Sequence, residues 1–199
     1  MLKYPSISEN EFWKIVDNGL ISSRDYTVEK HLDKLETVLS KLSENELLSY
    51  ELYRIEMEEL SYVWKLYNAA YIIYDGCTDS IFTDFRNGLI VQGRTTFYNA
   101  INDPDSTLSG LSHVQKLEDA EGFAYLVEWR WCELKNIDFQ EVDYTLPIND
   151  SKFYPISPEP KGISYGDDNI TFAQFRVAMK EQYPKLFSKY APSRLIEQL

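Results

Sequence analysis

The sequence predicts an all-α protein: a multi-helix bundle with a central buried helix pair and an irregular, proline-rich segment before the C-terminal helix. Three observations carry this. Apolar residues recur at spacings of three and four over most of the chain up to Leu134. Three Ser/Thr-x-x-Glu/Gln boxes mark helix starts, at Ser8, Ser43 and Thr171. Four of the eight prolines fall at 147, 155, 158 and 160, beside Gly162 and Gly166, a composition that breaks regular structure.

The first helix opens at the Ser8-Glu9-Asn10-Glu11 box, presents Phe12, Ile15 and Val16 on one face, and stops near Gly19. A second runs from about Val28 to Leu42, with Val28, Leu32, Leu35, Leu39 and Leu42 on one stripe. The box at Ser43 starts a long helix to about Tyr74, with a break expected near Ser61 because the run exceeds the usual helix length. Within it, residues 63–74 are apolar nearly all round, which places them at the centre of the core. Asp75 to Ser80 is a turn, with Gly76 ending one helix and Asp79 or Ser80 capping the next. That next helix covers Ile81 to about Gln92. A shorter one from Arg94 to about Ile101 ends at Asp103-Pro104-Asp105, since proline cannot continue it. Residues 106–112 read as a Ser/Gly loop. A helix follows from about Val114 to Leu134, with Leu117, Ala120, Ala124, Val127 and Trp131 on one face, and Gly122 weakens it enough to allow two pieces. Residues 136–146 are ambiguous, and the box at Thr171 opens a helix to Tyr183, followed by a last turn after Pro184.

One domain over 1–199 is the expectation, with 147–168 as an irregular loop and 169–199 as a helical annex. With 44% apolar and 15% aromatic residues, the chain can bury a core without disulfide or metal staples. The two cysteines, Cys77 and Cys132, and the two histidines fit no zinc spacing, so no metal and no cofactor are expected. The N-terminus lacks a signal peptide's apolar run, and no 18-residue apolar stretch exists. A cytoplasmic protein that does not enter the membrane is expected.

The net charge is −12, and two stretches carry most of it. Residues 29–60 hold nine acids against four bases, and residues 118–143 hold eight against two. Such a surface repels phosphates, which disfavours nucleic-acid binding, and attracts a basic partner. Glu51, Glu58, Glu59, Glu118, Asp119 and Glu121 are candidates for that surface. Trp129 is either its apolar anchor or a plain rim residue, while Trp131 on the opposite face packs inside.

The most informative constellation spans residues 75–105. Arg86 lies one turn from both Phe82 and Ile90 and so points with the core stripe. A buried guanidinium needs an acid, and Asp75, Asp79, Asp103 and Asp105 stand in the bracketing turns, with Arg94 nearby. Two readings stay open. Arg86 is a structural strut tying turns to a helix, or Arg86 and Arg94 clamp an anion beside a carboxylate such as Asp79. Cys77, between a helix end and a helix start, is a weaker candidate nucleophile. No phosphate loop, zinc-protease motif or serine-hydrolase elbow occurs, and Leu108 and Val114 spoil a calcium loop at 103–114.

The run Trp64-x-Leu-Tyr-Asn-Ala-Ala-Tyr-Ile-Ile-Tyr-Asp-Gly-Cys-Thr-Asp continues through Phe82, Phe85-Arg86, Leu89-Ile90, Gln92-Gly93-Arg94 and Pro104-Asp105. Together with Glu11-Phe12-Trp13-Lys14-Ile15-Val16 it resembles the bacterial family catalogued as domain of unknown function 4240. The resemblance covers about residues 9–108 and returns at Tyr183-Pro184-Lys185-Leu186. Where members often carry Gly-Gly-Cys-Ser-Asp-Asp, this chain has Asp75 for the first glycine and Ser80 for the second acid. The family name implies a bacterial origin and no activity.

The leading functional expectation is a protein-binding module, in its specific form an immunity protein meeting a basic toxin through the acidic surface. The alternative is an enzyme or small-anion-binding protein using Arg86, Arg94 and Asp79. A mimic of nucleic acid would require the acids to form a regular stripe.

Overall fold

The computed structural model describes residues 6–19, 27–148 and 171–190. The regular elements among the described residues are all helical, and no β-strand occurs among them. The order is α1 (Glu9–Gly19), α2 (Val28–Leu39), α3 (Glu44–Leu60), α4 (Trp64–Tyr74), α5 (Asp79–Val91), α6 (Arg94–Asn102) and α7 (Pro104–Gly110). A 3₁₀ segment, Val114–Ala120, leads into α8 (Glu121–Lys135). A 3₁₀ turn at Phe139–Glu141, α9 (Val142–Thr145), α10 (Phe172–Gln182) and α11 (Pro184–Tyr190) complete it.

The helix starts follow the sequence signals. The Ser8 amide and hydroxyl donate to Glu11 at 2.7 and 2.8 Å, and the Ser43/Glu46 and Thr171/Gln174 boxes close in the same way. The predicted break at Ser61 is present. The Ser61 hydroxyl donates to the carbonyls of Met57 and Glu58, both at 2.9 Å, and α3 ends there. The division near Gly122 is present as the change from 3₁₀ to α geometry at Glu121.

Four local expectations are corrected. Helix α2 stops at Leu39, short of Leu42. Helix α5 is capped by Thr78, whose hydroxyl accepts from the Ile81 amide at 3.2 Å, not by Asp79 or Ser80. The turn before it uses left-handed backbone at Asp75 (φ 57°) as well as the glycine at 76. Residues 104–110 form α7 instead of a loop. Pro104 stands at the first helical position, where its missing N–H costs nothing, and the Asp103 carboxylate accepts from the Ser106 amide at 3.0 Å. The ambiguous 136–146 stretch is the 3₁₀ turn and α9. Most of the expected 147–168 loop, and the chain beyond Tyr190, lie outside the described residues.

The fully buried residues of α4 (Leu66, Ala69, Ala70, Ile72) and α5 (Phe85, Leu89, Ile90, Val91) lie in the core, as their apolar run predicts. Helix α5 is the hub, touching α1, α3, α4, α6 and α8. Its closest neighbour is the 3₁₀ segment, and Gly88 explains the approach. A Cβ at this position would stand 2.3 Å from the Leu117 carbonyl oxygen, against backbone that cannot rotate away. Glycine therefore lets α5 sit directly on the 3₁₀ backbone, and this fixes where α8 begins relative to α5. Helix α4 packs mainly on α7 and α11.

We expect Gly88→Ala to destabilise the protein by about 2 kcal/mol or more, because the two backbones must separate to admit one methyl group. Urea unfolding checks this. An unchanged midpoint would mean that the approach is not tight in solution.

Candidate functional site

Helical phase does carry Arg86 into the interior, where the residue is only 6% exposed. Its acid is none of the four turn aspartates. The guanidinium crosses to α3, where Nη1 donates to the Glu58 carbonyl at 2.7 Å and Nη2 lies 3.5 Å from the Glu58 carboxylate. Nη2 also donates to the Thr83 hydroxyl at 3.1 Å. The cation lies over the rings of Tyr62 and Phe82, at 4.8 and 5.0 Å from their centroids. Glu58 in turn accepts from Arg54 at 3.0 Å, and Arg54 grips Glu51 through two bonds of 2.7 and 2.8 Å. Two arginines and two glutamates thus form one largely buried, charge-balanced chain from α3 to α5. The spacing of Glu51, Arg54 and Glu58 places all three on one side of α3, a local signal that sequence reading had available and passed over.

The other members of the predicted cluster are dispersed, each with its own task. Arg94 turns to α1, donating to Asn10 at 2.7 Å and pairing with Glu9 at 3.3 Å, while its amide donates to Asp17. Asp103 caps α7. Asp105 is buried and accepts from the amides of Lys185 and Leu186 at 3.2 and 2.8 Å, so it caps α11 from another element. Asp75 is the left-handed residue closing α4. The Cys77 thiol is pushed up to about 12, first by burial and then by the negative charge of Asp79 and Glu118. That favours the protonated thiol at neutral pH, which disfavours a nucleophilic role.

The candidate interaction residues divide. Glu51 is buried and Glu58 is held between two arginines, so neither is free to meet a partner. Glu59 is half-buried beside them. Glu118, Asp119, Glu121 and Trp129 gather instead around α8. On that helix Glu121, Tyr125 and Trp129 follow at intervals of four and form one stripe. Tyr125 and Trp129 are 38% and 45% exposed, their ring centroids 6.1 Å apart. Phe139, 43% exposed, lies 6.3 Å from Tyr125. Sequence reading found Trp129 alone, because Tyr125 joins it only through the helical stripe and Phe139 only through the fold.

This aromatic row separates two acid-lined hollows. Between α2 and α8 runs a groove of about 470 Å³ bordered by Glu29, Asp33, Glu36 and Asp119, with Lys116 and Trp129. Between α5 and α8 lies a cleft of about 350 Å³, whose walls include Asp79, Thr83, Asp84 and Asn87 from α5 and Glu121 and Tyr125 from α8. Burial, together with the charges of Glu121, Glu118 and Glu58, raises the Asp84 carboxyl to about 6. Asn87 is only 1% exposed, and neither its amide nitrogen nor its carbonyl oxygen has a hydrogen-bond partner among the described residues. No group of three metal-ligating side chains is placed to hold an ion among the described residues.

The family model described as "Protein of unknown function (DUF4240)" matches residues 7–144, from just before the cap of α1 into α9. The chain belongs to this family. The match takes in α2, α5 and α8, and so both hollows of the DUF4240 protein and the aromatic row between them. No curated protein and no solved structure matches the chain.

Arg86→Ala should cost about 2–4 kcal/mol in urea unfolding, since it takes the cross-helix cation from the Glu58 carboxylate and removes a guanidinium packed between two rings. Arg94→Ala, at an exposed pair, should cost less than about 1 kcal/mol. Equal costs would contradict the distinction drawn here between a buried strut and a surface tie.

Proposed function

We propose that this DUF4240 protein is a protein-binding module that docks a basic partner along α8, in the specific form of an immunity protein that neutralises a bacterial toxin. One observation carries the reading: an exposed row of Tyr125, Trp129 and Phe139 flanked on both sides by acid-lined hollows. Large aromatic side chains supply most of the energy of protein interfaces, burying much area at little entropy cost. Surrounding acids select a basic face and speed encounter, and the effect weakens with salt. The same acids oppose a phosphate backbone, which speaks against nucleic acid as the ligand. The two free cysteines suit a reducing cytoplasm. Among the described residues no helix is long and apolar enough to cross a membrane.

The alternative, an enzyme or anion-binding site built on Arg86, Arg94 and Asp79, needs the three side chains to converge. Arg86 is neutralised from α3 and Arg94 is tied to α1, so neither offers its charge to a ligand beside Asp79.

The test is calorimetry of the purified chain against a basic toxin encoded beside its gene, with growth of cells making both proteins. The expected result is a 1:1 complex, weakened as salt rises. Tyr125→Ala/Trp129→Ala should reduce affinity at least about a hundredfold, the range for two interface anchors, with the thermal midpoint unchanged. No complex, together with survival of toxin-producing cells that lack this protein, would refute the immunity form.

A further inference from the structure

The cleft between α5 and α8 is built to be filled. Among the described residues its walls carry three carboxylates, from Asp79, Asp84 and Glu121, and no basic side chain. Two helix starts also face it, because Asp79 opens α5 and Glu121 opens α8. Each start contributes about half a positive charge, so together they offset roughly one of the three acids and leave the cleft negative. Arg86 touches Thr83 in the cleft wall, but its charge is already matched by Glu58. Asn87 adds an observation independent of charge. It is a buried amide in this wall with both polar ends unpartnered among the described residues, although buried polar groups are almost always hydrogen-bonded. The exposed ring of Tyr125 forms the outer lip.

From this we infer that the α5–α8 cleft is the seat for an arginine side chain of the partner protein, with the guanidinium received by Asp84, Glu121 and Asn87 and covered by Tyr125. A guanidinium fits better than an ammonium for two reasons. Its planar fork presents five donors in several directions, matching acceptors spread over two helices, and its flat face stacks on an aromatic ring. A metal ion fits less well, since the described acids do not converge as ligands. The inference rests on reading the α8 face as a protein-binding surface, and it names the chemistry at one end of it.

Binding must be coupled to protonation. Asp84 faces Glu121 from α8, Glu118 from the 3₁₀ segment and Glu58 from α3, and with its carboxyl raised to about 6 it is partly protonated just below neutrality. A cation favours the ionised form, so affinity rises as pH increases from about 5 to about 7.

The experiment uses the full chain, ¹⁵N-labelled, titrated with L-argininamide, and with L-lysinamide and norleucinamide for comparison. The expected result is saturable shifts confined to the amides of residues 79–87 and 121–125. They should be several-fold tighter at pH 7 than at pH 5, weaker with lysinamide and absent with norleucinamide. Asp84→Asn should weaken argininamide severalfold and flatten the pH dependence. Glu121→Gln, at an exposed position, provides a second variant if Asp84→Asn does not fold. Shifts that are absent, scattered over the acidic surface or unaffected by both variants would overturn the inference, as would equal affinity for lysinamide. The probe needs no partner. Failure here with an intact toxin complex removes only the arginine seat, whereas argininamide binding without any protein complex removes the docking reading.

Discussion

The guanidinium of Arg86 must be neutralised inside the protein, and much of the architecture follows from how this is done. A buried arginine without an acid would cost several kcal/mol. Here α3 supplies Glu58, and Arg54 with Glu51 completes a chain in which positive and negative charges balance. The Glu58 carbonyl that receives Arg86 also accepts from the Ser61 hydroxyl, so the strut lands on the last turn of α3, just before the chain turns into α4. One side chain thereby ties α5 to the last turn of α3, close to where the chain enters α4. Gly88, half a turn further along α5, then sets α5 on the 3₁₀ segment.

This use of charge changes what the net value of −12 means. Two of the acids of α3 are consumed internally, so the 29–60 stretch is not a uniform acidic face. Acids at the surface of α2, α5 and α8 remain displayed, and they line hollows on either side of an aromatic row. The charged strut and the acid-lined cleft thus lie on opposite flanks of α5. Arg86 leaves α5 toward α3, and Asp84 and Asn87 line the cleft toward α8. Thr83 belongs to both, accepting from Arg86 and lining the cleft, so the strut also steadies one wall of the proposed binding seat.

Local chemistry was legible in the sequence, and tertiary pairing was not. Capping boxes at Ser8, Ser43 and Thr171, the break at Ser61 and the burial of Arg86 all depend on residues within one or two turns of each other. The partner of Arg86 lies 28 positions away, and Asp105 caps a helix 80 positions away, and no periodicity encodes either. The nearby aspartates were the natural candidates by proximity in sequence, but Asp75, Asp103 and Asp105 are engaged in ending or starting helices, and Asp79 lines the cleft between α5 and α8. Helix α7 was hidden by its Ser/Gly composition, although Asp103-Pro104 is itself a helix-start signal. Asn87 carried no signal as an isolated residue. Its significance comes from two unpartnered atoms beside a cleft, which only coordinates reveal.

The most direct test of the account is a double-mutant cycle between Arg86 and Glu58, using Arg86→Met and Glu58→Gln singly and together, read by urea unfolding at neutral pH. The charge chain from α3 to α5 predicts a coupling of about 1 kcal/mol or more between the two positions. Costs that add to within about 0.5 kcal/mol would contradict it, because the two side chains would then be stabilising the fold independently.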